Sequence, residues 1–225
     1  MVTENTFWEE DIYSKGHHLN KYPYDNVVSF VFRSYSRSKP REQIQILEVG
    51  CGAGNNLWFA AKEGFCTTGI DLSPSAISFC KKRFEREKLV GRFVIGSFVE
   101  LPFDENAFDL VIDRASLTCC GFEEVQISIE NIHRVLKTGG KFFFNAYSTA
   151  HTSFGSGVKN PNGTWANMQQ GTLAGIEHIY FFSPDEIASL FPASDWQIIS
   201  QKHKEVLELS TKNVHAEWEI ILEKI

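Results

Sequence analysis

At 225 residues, with 43% hydrophobic and 22% charged side chains, the chain has the length and composition of one globular domain, or of one domain with a modest insertion. Its formal charge of −6 disfavours non-specific nucleic-acid binding, and no apolar run approaches the ~20 residues that span a bilayer. The five cysteines, Cys51, Cys66, Cys80, Cys119 and Cys120, are odd in number and form no C-x-x-C pair. That pattern argues against a disulfide framework or a thiolate zinc site and for a reducing cytoplasm.

The opening residues, Met1 to Asn5, lack a basic stretch followed by an apolar run, so no signal peptide is expected. Residues 1–40 read as an N-terminal helical cap, with Phe7, Trp8, Tyr13, His17, His18, Tyr22 and Tyr24 set among charged residues. These aromatics either pack a leading helix or face a ligand. His17-His18 has no spaced carboxylate or cysteine beside it, so no metal is expected there.

From 44 to 145 short apolar runs alternate with longer helical patterns, which predicts a parallel sheet with crossover helices. Residues 44–49 form the first strand and lead straight into Gly50-Cys51-Gly52-Ala53-Gly54. A helix through Leu57, Ala60 and Ala61 stops near Gly64. The second strand, 67–71, ends on Asp71. Ser73-Pro74 is an N-cap with proline in the first turn and opens a helix toward Lys88. Strands follow at 92–95 and 108–113. Val125, Ile129, Ile132 and Leu136 then fall on one face of a helix, which Gly139-Gly140 is expected to end before a fifth strand at 141–145.

The character of the chain then changes. Residues 148–178 are rich in Ser, Thr, Gly and Asn, and too long for a plain connection. Ser183-Pro184-Asp185-Glu186 caps a short helix. With nothing helical between them, the two β-like segments at 196–209 and 216–222 are expected to pair as an antiparallel hairpin.

A strand that runs into Gly-x-Gly-x-Gly and then a helix brings bare backbone N–H groups close to a ligand, because no Cβ blocks the approach. Asp71, about 20 residues on at the end of the next strand, can accept both hydroxyls of a ribose. The dinucleotide fingerprint G-x-G-x-x-G fails from either start: from Gly50 its third glycine falls on Asn55, and from Gly52 the run continues Asn55-Asn56-Leu57. A nucleoside is expected, without a pyrophosphate.

These motifs resemble those of the class I S-adenosylmethionine-dependent methyltransferases. Glu48-Val49-Gly50-Cys51-Gly52-Ala53-Gly54 looks like their E-x-G-x-G-x-G loop, and Gly69-Ile70-Asp71-Leu72-Ser73 like their ribose-binding strand end. Leu101-Pro102-Phe103 with Phe108-Asp109-Leu110-Val111 matches the approach to their fourth strand. Arg134 to Gly140 is similar to their helix-to-fifth-strand turn, with Thr138 where proline is common. The resemblance covers 44–145. It implies an α/β, Rossmann-like fold: a seven-stranded, mostly parallel sheet with an antiparallel C-terminal hairpin and helices on both faces.

It also implies S-adenosyl-L-methionine as cofactor. The backbone at Gly50, Cys51, Gly52 and Gly54, with Asn55, approaches the methionine and ribose, and Glu48 orients the loop or meets the amino group. Asp71 binds the ribose, Leu72 packs on the adenine, and Asp113 and Arg114 lie beside the methionine. Ser97 departs from the family's frequent acid, so Ser97 or the backbone of Phe98 takes the adenine amino group.

The expected reaction is methyl transfer to a small-molecule oxygen, nitrogen or carbon, with no membrane span and with nucleic acid disfavoured as partner. His178, Tyr147 and His151 bracket the variable loop and are the catalytic candidates, His178 as a base; each can equally be a structural residue of the loop. Trp165 and Met168 either line an acceptor pocket or anchor the loop. His133, on the flank of an amphipathic helix, reads as structural. Cys119-Cys120 is not needed as a nucleophile, because transfer from a sulfonium is a direct displacement that depends on positioning. A non-catalytic S-adenosylmethionine-binding regulatory module, a protein or tRNA methyltransferase and a nucleotide-linked oxidoreductase are the alternatives. The sequence leaves the oligomeric state open.

Overall fold

In the computed structural model, which describes residues 6–225, five parallel strands form the centre. They are β1 (Gln45–Val49), β2 (Cys66–Asp71), β3 (Arg92–Ile95), β4 (Phe108–Arg114) and β5 (Leu136–Tyr147). Met1 to Asn5, read above for the absence of a leader pattern, lie outside the described residues. A two-residue ribbon follows, β6 (Val158–Lys159) with β7 (Trp165–Ala166). Then come β8 (Trp196–Leu207) and β9 (Val214–Lys224), which pair antiparallel as expected. The seven-stranded sheet has the order β3-β2-β1-β4-β5-β9-β8, and β9 runs antiparallel to β5.

The order reverses at β1. From there the chain winds outward to β3 on one side and to β5 on the other, so the loops after β1 and β4 part and leave a crevice at the strands' carboxyl ends.

Both faces of the sheet are covered, which is why its strands read as apolar runs rather than alternating ones. Helices α1 (Asp25–Ser34), α2 (Asn55–Lys62) and α3 (Pro74–Arg86) bury Phe30, Leu57, Ile77 and Phe84 against Ile46, Ile112 and Phe143. On the other face, α4 (Phe122–Val135) and α5 (Pro184–Leu190) pack Ile129, Ile132, Ile187 and Leu190 against Val111, Phe142, Phe144 and Ile220. The Phe142-Phe143-Phe144 run thus splits between the two layers, and each buried ring contributes roughly 1.5 to 3 kcal/mol.

One boundary differs from the sequence reading. Helix α4 closes at Val135, and the fifth strand begins at Leu136 rather than 141. Leu136 is fully buried, and the pairing shifts between Phe108↔Leu136 and Leu110↔Lys141, which marks a bulge. Gly139, at φ +73°, supplies the left-handed residue the bulge needs. The two glycines therefore bend a strand instead of ending a helix. Among the described residues no helix is long and apolar enough to cross a membrane.

Candidate active site

The glycine loop leaves β1 with positive φ at Gly50 (+60°) and Gly52 (+49°), a region that side-chain-bearing residues enter at a cost. Space is the second constraint. A Cβ on Gly50 would stand 2.3 Å from Ser116 Oγ, and one on Gly52 would stand 2.3 Å from the Tyr13 hydroxyl. The Gly52 N–H donates to Asp71 Oδ2 at 2.8 Å, and the Ser73 N–H donates to Asp71 Oδ1 at 2.9 Å. Asp71 therefore holds the loop and the start of α3 at once, and each oxygen keeps a lone pair toward the crevice.

That crevice is a cavity of about 610 Å³, within the range of small-molecule sites. Glu48, Gly50, Cys51, Gly52 and Asn55 line its floor. Asp71, Leu72, Ser97 and Phe98 line the end over β2 and β3, and Arg114 lines the end over β4. Two residues of the expected cofactor set lie behind this surface. Gly54 packs against Cys80 and Phe93. Asp113 is fully buried and accepts the Ser116 and Leu117 N–H groups at 2.8 and 3.1 Å, so it shapes the turn after β4.

Burial dominates the electrostatics here. It pushes the Asp113 carboxyl up to about 7 and the Glu48 carboxyl up to about 8. Glu48 Oε1 accepts from Asn56 Nδ2 at 2.7 Å, whereas Oε2 is buried with no partner among the described residues. An orphaned carboxyl oxygen at the floor of the cavity suits a cationic donor such as an α-ammonium group.

The N-terminal segment forms the roof. Glu9 accepts from the Ser75 N–H at 3.2 Å and from the Ser73 and Ser75 hydroxyls, at the N-terminus of α3. The π-helical turn Trp8–Tyr13 is thereby pinned across the glycine loop. Further along, Asn55 Nδ2 donates to the Tyr22 carbonyl at 2.9 Å and the Tyr24 N–H donates to Asn56 Oδ1 at 3.0 Å. Trp8, Tyr13, His18 and Tyr24 face the cavity. Trp8 also packs against Phe7, Tyr13 and His18. No group of three or more His, Cys, Asp or Glu able to hold a metal occurs among the described residues.

The far wall comes from distant segments. Tyr147, at the end of β5, and His178, at the end of the variable loop, both line the cavity. His178 sits at φ +59° and its ring lies 3.9 Å from Glu177. His151 does not reach the cavity. It is 2% exposed, and burial lowers its imidazole to about 4. The Ser153 N–H donates to its Nδ1 at 3.0 Å, which assigns the proton to Nε2, facing Thr172 Oγ1 at 3.1 Å and His215 Nδ1 at 3.3 Å. His215 Nε2 in turn faces Glu217 at 3.7 Å.

His215 and Glu217 were missed in the sequence because they are two polar positions within a β-strand and match no motif. Thr172, Leu173 and Ile176 of the 148–178 loop also line the cavity. Trp165 and Met168 do not. Met168 packs with Leu173, Ile179 and Phe181, so these two residues anchor the loop. His133 meets Trp196 edge to face, ring centres 5.0 Å apart, as a structural residue.

Comparison with known proteins places this geometry. Residues 47–144 match the family model described as a methyltransferase domain. The chain is 29% identical over 133 residues to the fatty-acid O-methyltransferase of Mycolicibacterium smegmatis, covering 58% of this chain and 45% of that one. It is 34% identical over 100 residues to the phthiotriol/phenolphthiotriol dimycocerosates methyltransferase of Mycobacterium tuberculosis, covering 44% and 36%. The chain spans about half the length, or less, of the curated relatives it matches. Among solved structures, a SAM-dependent methyltransferase of Methanosarcina mazei superposes with a TM-score of 0.71 at 20% identity, over 91% of this chain and 99% of that one.

Proposed function

We propose that this chain, whose residues 47–144 match a methyltransferase domain, is a class I S-adenosylmethionine-dependent methyltransferase that methylates a small-molecule oxygen, nitrogen or carbon. One observation carries the reading. The glycine loop, the orphaned Glu48 oxygen and Asp71 face one cavity, and together they suit the backbone, ammonium and ribose of S-adenosyl-L-methionine. That cofactor supplies an electrophilic methyl on a sulfonium. In this reading the glycine loop cradles it, Asp71 holds the ribose hydroxyls, Leu72 and Phe98 flank the adenine, and Ser97 takes the place of the family's usual acid. Trp8 and Tyr13 are the rings placed to attract a sulfonium, and with Tyr24 they exclude water from the transfer.

A small acceptor is favoured because the cavity is walled on two sides, by the strapped N-terminal segment and by the loop that ends at His178. A protein side chain or a tRNA base would have to enter between them. Tyr147 and His178, at the cavity wall, are the groups placed to orient an acceptor, and His178 is the candidate base.

Calorimetric titration with S-adenosylhomocysteine tests the cofactor half, with NAD as control. Wild-type protein is expected to bind it and to ignore NAD. Asp71→Ala is expected to weaken binding by ~1.5 to 3 kcal/mol, the range for a hydrogen bond to a charged group. No binding, or binding indifferent to Asp71, overturns the assignment. Retained binding with no turnover of any acceptor points to the non-catalytic alternative.

A further inference from the structure

Arg134, packed beneath the strand ends, donates to the carbonyl oxygens of Phe103 and Leu101 at 2.7 Å each. Arg114 makes no side-chain hydrogen bond among the described residues. Its side chain is only 19% exposed, its Nε is buried without a hydrogen-bond partner among the described residues, and Glu217 Oε2 stands 3.9 Å from its Nη2. That separation is beyond hydrogen-bond reach. The guanidinium lies 4.3 Å from the centre of the Tyr24 ring and shares the cavity wall with Tyr147 and His215. A planar fork of five donors, fixed on an aromatic face and unspent, is a receptor for a planar anion.

Topology says which ligand it faces. Asp71 ends β2, on the far side of β1, whereas Arg114 pairs in register with Asn145 of β5, and Glu217 of β9 pairs with Tyr147. Arg114 thus lies on the β5 and β9 side of the sheet from Asp71, within 3.9 Å of Glu217, while its charge also acts on Glu48 of β1. Because Glu217 already offsets part of its charge, the site suits a monoanion better than a phosphate dianion. Leu173 and Ile176 add apolar surface to the cavity, beside the more polar Cys120, Glu124, Tyr147 and Thr172.

The thiols and phenols near Arg114 are poor bases. Burial pushes the Cys119 thiol up to about 12 and raises the Cys120 thiol and the Tyr13 and Tyr147 phenols. One nitrogen of His215 is engaged by Thr172 and His151, and the other stands 3.7 Å from Glu217 Oε2. An acceptor that arrives already ionised requires no base.

We infer that the acceptor is an apolar carboxylic acid, that Arg114 receives its carboxylate, and that a carboxylate oxygen is the atom methylated; this rests on the methyltransferase reading above. One oxygen stays on the guanidinium while the other uses a lone pair to form the new O–C bond to the methyl carbon. The C–S bond breaks as it forms, its electron pair remains on sulfur, and the products are a methyl ester and S-adenosylhomocysteine. A negative and a positive charge are both neutralised and no proton moves. A dry, aromatic cavity favours such a charge-neutralising step.

The test uses the protein loaded with S-adenosylhomocysteine and a panel of octanoate, 4-phenylbutyrate and indole-3-acetate, each beside its primary alcohol and its amide. Only the acids are expected to raise the melting temperature, and with S-adenosylmethionine only they yield a methylated product, seen as the ester by mass spectrometry. Arg114→Gln is expected to abolish the acid-induced shift and to lower kcat/KM by roughly 100-fold, the scale of a lost hydrogen bond between charged groups. Arg114→Lys retains an intermediate activity. Both variants should bind S-adenosylhomocysteine within about threefold of wild type, well under 1 kcal/mol.

If Arg114→Gln weakens S-adenosylhomocysteine as much as it weakens turnover, Arg114 serves the cofactor's own carboxylate and the inference fails. It fails equally if alcohols or amides act as well as acids, or if a protein that binds S-adenosylhomocysteine neither shifts with nor esterifies any acid. Absence of S-adenosylhomocysteine binding would instead overturn the methyltransferase reading itself.

Discussion

The two walls of the cavity are built on different terms. The wall over β1 and β2 is mostly backbone. Its glycines lie within five consecutive residues, and of its two acids, Glu48 and Asp71, the second is tied to the loop by the Gly52 N–H. The wall over β4, β5 and β9 is made of side chains, Tyr24, Arg114, Tyr147 and His215, drawn from four separate segments. A ligand bound through backbone N–H groups demands a particular chain path, so it leaves a spacing in the sequence. A ligand bound through side chains demands only that a few groups converge, and any number of sequences achieve that. The first wall suits an invariant cofactor and the second an acceptor that differs between relatives.

The sharpest break of the cofactor wall is Gly52→Val. The new side chain would start at φ +49° with its Cβ 2.3 Å from the Tyr13 hydroxyl. Left-handed strain alone costs roughly 1 to 2 kcal/mol, and the steric conflict adds to it. S-adenosylhomocysteine affinity is expected to fall by at least about 100-fold, near 3 kcal/mol, while circular dichroism still shows the wild-type fold. Near-normal affinity would mean that the ligand does not approach this backbone.

A subtler probe of the same wall is the protonation of Glu48. Burial holds its carboxyl near 8 against an ordinary value of 4.5, so the folded chain binds more protons than the unfolded one between those values. Stability from this group is therefore fully present below the ordinary carboxylate range and is lost as pH rises toward 8. Glu48→Gln should flatten that part of the stability–pH curve. If an ammonium group docks on the orphaned oxygen, binding at pH 7 should release roughly one proton. Calorimetry in two buffers of different ionisation enthalpy measures that release, and Glu48→Gln should remove it. Equal heats in both buffers for the wild-type protein would place the ammonium elsewhere.

The smallest effect is expected on the acceptor wall. His178 lies at the end of the loop with its side chain 40% exposed. If the acceptor arrives as an anion, His178→Ala should lower kcat by less than about tenfold and leave the pH profile unchanged, whereas a general base contributes typically 10²- to 10⁴-fold. A larger loss, with the acidic limb of the profile removed, would make His178 the base and change the class of acceptor.

Much of this molecule was legible in the chain because its signals are local. The alternation of apolar runs and helical patterns gave the β1-to-β5 order of elements, Ser73-Pro74 and Ser183-Pro184 marked helix starts, and the glycine spacing with Asp71 pointed to a nucleoside. The misread turn at Gly139-Gly140 shows where local signals fail. A glycine pair at a helix end and a glycine in a strand bulge look alike until the buried Leu136 is seen to pair with Phe108.

The roof and the far wall depend on contacts between residues far apart in the chain, and no spacing encodes them. Glu9 reaches the serines at the start of α3, and Glu217 stands between Arg114 and His215. His151, a reasonable candidate by position, is turned inward by the Ser153 N–H and Thr172, while His215 takes the place beside the cavity. The sequence alone determined the sheet, its helices and the loop that waits for a nucleoside, because backbone geometry is written in neighbouring residues. Only the tertiary structure decided which side chains meet at the far wall and that Arg114 stands there without a hydrogen-bonded partner among the described residues, because that follows from how β4, β5, β9 and the N-terminal segment pack together.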